Sequence, residues 1–230
     1  MIALMAQSGS RFAIRWDWIG RNLDAIWDQT IQHLYLTFLA VAIGLVLSTA
    51  LALLALRYRR TYGPITSVTG ILYTIPSLAL FAFLVPITGI SVTTAEIGLV
   101  SYTLLILIRN IVAGIDGVPG DVVEAARGMG YTERRLFLEI QLPLATPVIV
   151  AGIRIATVTT IGLVTITALI GQGGLGQLID RGLKNFSSPI GITQIFVGTV
   201  LSIVLAVVLD LALVLTERAA TPWAQRREAT

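Results

Sequence analysis

A chain of 230 residues with 55% hydrophobic and only 13% charged side chains lies outside the composition of soluble domains, in which about 25% of residues are charged. With a mean hydropathy of +0.84 it reads as a membrane protein, so the net charge of +3 and pI near 9.6 report topology rather than a nucleic-acid partner. The chain contains no cysteine, which excludes disulfides, cysteine metal sites and thiol nucleophiles.

The opening MIALMAQSGS has too short an apolar run and no basic n-region, so it is expected to be retained rather than cleaved. Residues 12–33 predict a helix lying on the outer interface: Ile19, Leu23, Ile26 and Thr30 recur at helical spacing, and Trp16, Trp18 and Trp27 favour the headgroup zone. A bilayer core about 30 Å thick needs about 20 mostly apolar residues per helix. Five runs approach that length, at residues 34–56, 65–85, 97–115, 148–170 and 195–215. Pro76 interrupts the second and Pro147 precedes the fourth; membrane helices absorb such breaks where neighbours satisfy the freed carbonyl.

Arginine sets the orientation. Arg57, Arg59 and Arg60 follow the first run, Arg109, Arg127, Arg134 and Arg135 lie at or beyond the end of the third, and Arg218, Arg226 and Arg227 follow the fifth. Five spans put all of them on one side and leave Arg11, Arg15, Arg21, Arg181 and Lys184 on the other. The N-terminus is therefore expected outside and the C-terminus in the cytoplasm. His33, at the outer start of the first run, reads as an interfacial residue.

The segment DVVEAARGMGYTERRLFLEIQLP, residues 121–143, breaks the apolar pattern. Val122, Ala125, Ala126 and Met129 make the stripe of a short amphipathic helix, with Asp121 and Glu124 turned away. Gly130 supplies the turn that ends it. Thr132 caps a second short helix carrying an apolar face of Leu136, Phe137 and Ile140 and an Arg135–Glu139 pair, and Pro143 is expected to stop that helix before the fourth span. A plain connector needs only a few residues; an ordered helix, glycine, helix, proline sequence suits docking.

Glu124, Ala125, Ala126, Gly130, Ile140, Leu142 and Pro143 match the pattern Glu-Ala-Ala, three residues, Gly, about nine residues, Ile-x-Leu-Pro. The segment thereby resembles the EAA loop of ATP-binding-cassette importer permeases, and HLYLTFLAVAIGLVLS, YTIPSLALFAFLVPITGI and ALIGQGGLGQLI resemble the osmoprotectant subfamily, which imports glycine betaine, carnitine, choline or proline betaine. Methionine-type permeases share the loop and the glycine corner and stand as the alternative. The resemblance implies an all-α membrane protein of about five transmembrane helices with the type I ABC importer permease fold and cytoplasmic coupling helices. It divides the chain into a tail and interfacial helix (1–33), a permease domain (34–217, coupling loop 116–143) and a cytoplasmic tail (218–230). It also implies a bacterial cell-membrane location and three kinds of partner besides the bilayer: two ATPase subunits, a second copy or a sister permease, and an extracytoplasmic binding protein. That receptor is expected to be a separate chain, because the sequence ends at Thr230; nucleic acid is not an expected partner.

Gly171, Gly173 and Gly176 satisfy G-x-G-x-x-G, but a dinucleotide site needs a strand before the motif and an acid about 20 residues on. A membrane-length apolar run precedes it and Phe196 stands at the acid's position. Together with Gly174 these glycines read as an outer corner, a place where the chain turns back. No G-x-x-x-x-G-K-[ST] occurs, so the chain is expected to be no enzyme itself and to rely on a partner for ATP hydrolysis; no cofactor or metal is expected in it. Arg154 and Asp210 fall inside the fourth and fifth runs. Each opposes insertion by more than several apolar residues offset, and each lies about 9 Å from the cytoplasmic end, so they are expected to pair, with Arg109 as competitor; as a charge relay they would fit the rival reading, an ion-coupled secondary transporter. Tyr73, Pro76 and Ser77 are candidates to line the substrate pathway, since a proline-broken helix exposes carbonyls to a cavity.

Overall fold

A computed structural model describes residues 13–220; Arg11, Arg226, Arg227 and the remainder of both tails lie outside the described residues. Among these there are ten α-helices and no strand. They are α1 Trp16–Arg21, α2 Leu23–Arg57, α3 Tyr62–Thr74, α4 Ser77–Thr88, α5 Val92–Asp116, α6 Gly120–Gly128, α7 Glu133–Leu136, α8 Leu142–Ile166, α9 Gly176–Lys184 and α10 Pro189–Ala220.

The break near the N-terminus falls at Asn22 (φ −120°, ψ 20°), not at residue 33. Nothing between residues 23 and 57 interrupts a helix, because the stretch lacks proline and is rich in Leu and Ala. At 1.5 Å per residue the 35-residue α2 is about 52 Å long, so its acidic first turns with Asp24 and Asp28 extend beyond a hydrocarbon layer about 30 Å thick.

Four stretches are long and apolar enough to cross a membrane: Leu23–Arg57, Val92–Asp116, Glu133–Ile170 and Pro189–Ala219. A fifth crossing requires the pair Arg59–Thr74 and Ser77–Thr88, which is bent by 95°. Pro76 causes the bend. It lacks an N–H, disfavours helical geometry at Ile75, and takes an extended conformation (φ −55°, ψ 131°) as N-cap of α4. Its carbonyl accepts the N–H of Leu80 at 3.0 Å, starting the new helix.

The prolines of the fourth span behave differently from expectation. Pro143 does not stop a helix: it lies in the first turn of α8, where the missing N–H matters little. A π-helical turn at Phe137–Gln141 joins α7 to α8; its wider backbone takes up the missing hydrogen bond and the proline ring. Pro147 lies inside α8 rather than before it. One helical rod thus runs from Glu133 to Ile170.

The chain forms two compact units. The first comprises the described residues up to 40 together with 75–99 and 159–208. Its core joins Ile26, Leu175, Leu178 and Val197, with Trp18 and Ile19 packed on it, and the Arg15 backbone N–H donates to Thr193 Oγ1 at 2.9 Å. His33 belongs here and is fully buried, with Nε2 3.1 Å from the carbonyl of Ile161, contrary to its interfacial expectation. The second unit comprises residues 41–74, 100–158 and the described residues from 209 onward. Ala52 and Ala55 of α2 pack on Ile108, Ile111 and Val112 of α5, the small side chains bringing the helices close. At the ends of these helices the Arg59 guanidinium donates two hydrogen bonds to Asp116 at 2.6 Å.

Candidate functional site

The charged segment lies entirely in the second unit. Pro119 (φ −55°, ψ 132°) opens α6, with Asp121 in its first turn and Arg127 in its last, each sign complementing the helix dipole. The helix ends in a Schellman turn: the N–H of Gly130 donates to the carbonyl of Arg127 at 2.9 Å and that of Tyr131 to Ala126 at 3.2 Å. Gly130 has φ 85°, a left-handed conformation that opposes any Cβ. Thr132 then caps α7 by accepting the N–H of Arg135 at 3.4 Å.

Side chains brace this corner. Arg127 donates to Glu133 at 3.0 Å across the glycine, and Arg135 donates to Glu139 at 2.9 Å while its guanidinium lies 4.5 Å from the centre of the Tyr131 ring. The Glu133 carboxylate raises the pKa of the Arg127 guanidinium above its usual value, so Arg127 stays charged at any physiological pH. Sequence periodicity shows the Arg135–Glu139 pair but misses Arg127–Glu133, whose partners are six residues apart on different helices and meet only because Gly130 turns the chain.

Of the matched motif residues, Ala126 is buried, Ile140 and Pro143 are half-buried, and Glu124, Ala125, Gly130 and Leu142 are exposed. The apolar stripe of α6 is therefore covered only in part: Met129 is 70% exposed, with Ala125 beside it. A rigid corner with uncovered apolar surface is what a docking element requires.

Arg154 on α8 donates to Asp210 on α10 at 2.9 Å and 3.1 Å through two nitrogens, and its third nitrogen lies 3.6 Å from Glu217. The structure thus brings the two intramembrane charges together and adds a second acid. Arg109 is exposed and makes no ion pair among the described residues.

Tyr73, near the end of α3, is 38% exposed and meets Tyr102 of α5 edge to face, with centroids 5.9 Å apart. Tyr102 was missed in the sequence because it lies inside an apolar run with no aromatic neighbour at helical spacing. Pro76 is the exposed N-cap of α4 and Ser77 its half-buried first residue.

At the glycine corner, Gly171 (φ 74°) and Gly174 (φ 42°) take left-handed conformations. Gly171 closes the 3-10 turn Thr167–Ile170, and Gly173 and Gly176 lie so close to the backbones of Ala168 and Thr165 that a side chain at either would collide. Gly174 abuts His33, where an added Cβ would be 2.6 Å from the histidine Cβ. Helices and a 3-10 turn precede the motif, a setting incompatible with a dinucleotide fold.

Four long apolar helices, a fifth broken pair and a braced helix corner define a polytopic membrane protein. Residues 40–221 match the family model described as the inner membrane component of binding-protein-dependent transport systems, and the chain belongs to that family. It is 36% identical to the glycine betaine/carnitine/choline transport system permease protein OpuCB of Bacillus subtilis over 84% of this chain and 88% of the relative. It is likewise 36% identical to the choline transport system permease protein OpuBB of the same organism (86% and 90%) and to the osmoprotectant import permease protein OsmW of Salmonella typhimurium (79% and 85%). Among solved structures it resembles an inward-facing form of the MetNI methionine ABC transporter at TM-score 0.72 and 22% identity, covering 90% of this chain and 100% of that one. An amino acid ABC transporter with histidines matches at TM-score 0.71 and 20% identity, over 90% and 99%. The likeness establishes the fold: the all-helical ABC permease architecture expected from the sequence.

Proposed function

We propose that this chain is the membrane permease of an ABC importer that moves a small quaternary-ammonium osmoprotectant, of the glycine betaine, carnitine or choline class, into the cell. The observation that carries the reading is 36% identity over 84% of the chain to a permease named for those solutes. A separate pair of ATPases hydrolyses ATP, as expected of a chain without a P-loop, and an extracytoplasmic binding protein delivers the solute. A second copy or a sister permease completes the pathway. The N-terminus faces outward, so the arginine-rich helix ends and the α6–α7 corner face the cytoplasm, where the ATPases are.

In this reading the motif residues Glu124, Ala125, Ala126, Gly130, Ile140, Leu142 and Pro143 form the coupling element. ATP-driven closure of the ATPases pushes on α6 and α7, and the continuous helical rod through α8 carries the displacement into the membrane. The Arg154–Asp210 pair sets the packing of α8 on α10 during that movement. Tyr73, Pro76 and Ser77, at the break in the second span, lie along the pathway, where the exposed Tyr73 offers a weak cation–π surface to a quaternary ammonium. Gly171, Gly173, Gly174 and Gly176 shape the outer turn.

The test is substrate competition. In proteoliposomes containing the permease, its ATPase and its binding protein, unlabelled glycine betaine, carnitine or choline should suppress uptake of labelled choline, and methionine should not. Suppression by methionine alone would replace the osmoprotectant assignment with the methionine-type one.

A further inference from the structure

A groove of about 400 Å³ opens in the second unit beside the end of α2. Its floor is apolar, built from Leu53 and Leu56 of α2, Ile115 of α5 and Phe137 of the π turn. Its rim is basic, with Arg57, Arg59 and Arg134 against a single acid, Glu133. Two of these charges are already committed: Arg59 to Asp116 at 2.6 Å and Glu133 to Arg127 at 3.0 Å. Arg57 and Arg134 make no ion pair among the described residues and are exposed. Two uncommitted guanidinium groups therefore overlook one apolar floor.

Arg57 is the last residue of α2, the point where a spanning helix leaves the hydrocarbon, and Leu53 lies one turn before it on the same face, 43% exposed. An anion held at Arg57 consequently has aliphatic surface on its membrane side. Planar guanidinium groups favour phosphate oxygens, which they bind in pairs. A free anion has no use for the apolar floor; a molecule with a phosphate at one end and acyl chains at the other fits both parts. Met129, the large exposed apolar side chain of the α6–α7 corner, does not line the groove.

We propose that this groove binds the headgroup of an anionic phospholipid, with Arg57 and Arg134 on the phosphate and Leu53, Leu56, Ile115 and Phe137 against the start of the acyl chains. The proposal rests on α2 spanning the membrane, and its test reads neither substrate nor ATPase activity, so it fails or succeeds independently of the transport reading.

The full-length permease is purified with equal amounts of phosphatidylglycerol and phosphatidylcholine of the same acyl chains, and retained lipid is counted by native mass spectrometry. Phosphatidylglycerol should be retained in preference. Arg57→Gln and Arg134→Gln should each reduce that preference roughly fivefold, and the pair about 25-fold. Arg60→Gln, which removes an equal charge outside the groove, should leave it unchanged. Each single variant reports separately, so poor folding of the double variant does not remove the test. The proposal is overturned if the groove variants retain phosphatidylglycerol like the parent, if Arg60→Gln loses as much as they do, or if excess inorganic phosphate displaces the lipid completely, which marks a free-anion site. It is also overturned if the groove variants lose affinity for the ATPase but not for lipid, which reassigns the surface to a protein contact.

Discussion

Arg154 faces two carboxylates on one helix, Asp210 at 2.9 Å and Glu217 at 3.6 Å, and the arrangement is asymmetric. Removing Asp210 leaves Glu217 to answer the guanidinium; removing Arg154 takes away the guanidinium that faces both acids and leaves Asp210 without its bidentate partner, and an unpaired charge within the membrane is costly. Arg154→Ala should therefore lower the detergent Tm by about 5 °C, and Asp210→Ala by roughly half as much. The double variant should be no worse than Arg154→Ala, because coupled residues are not additive. Equal single effects that sum in the double variant would show that the contact carries no coupling. This pair was legible because Arg154 and Asp210 are isolated charges inside apolar runs. Glu217 was not, since its place near the arginines of the tail makes it look like one more interfacial charge. The burial of His33 was not legible either: Gly174, some 140 residues away, lies against its backbone and Cβ, where any side chain would collide.

Among the elements, the same residue type acts in opposite ways according to the turn it occupies. Pro76 ends one helix and starts another at 95°, whereas Pro143 lies in a first turn behind a π segment and interrupts nothing. The sequence places both prolines in apolar surroundings and does not say which helical turn each will occupy, so a stop at Pro143 was the natural expectation and the wrong one. The α6–α7 corner was legible because its parts are local: a stripe at helical spacing, a glycine, and a capping threonine three residues before the N–H it accepts. In Gly130→Pro, φ is forced to about −65° against the observed 85°, and the hydrogen bond to Arg127 is lost. In the assembled transporter this variant should keep ATP hydrolysis while uptake per ATP falls on the order of tenfold, the usual scale of a coupling free energy. Unchanged uptake per ATP would remove this corner from the coupling path.

For the whole molecule, composition set the membrane class, with which the family match over residues 40–221 agrees, and the five apolar runs correspond to four long apolar helices and one bent pair. The division into two compact units, each drawing on three separate stretches of chain, had no sequence signal, because every long helix contributes to both units without a break in its hydrophobic pattern. Function at this scale turns on the source of energy. A charge pair such as Arg154–Asp210 also occurs in ion-coupled carriers, whereas in the proposed reading the braced corner serves an ATP-driven machine. The decisive measurement is uptake of labelled choline into proteoliposomes that hold the permease with its ATPase and binding protein, with ATP supplied to the ATPase side and ionophores present to collapse all ion gradients. Uptake should require ATP and persist with the ionophores; uptake that follows the gradients and ignores ATP would contradict the assignment.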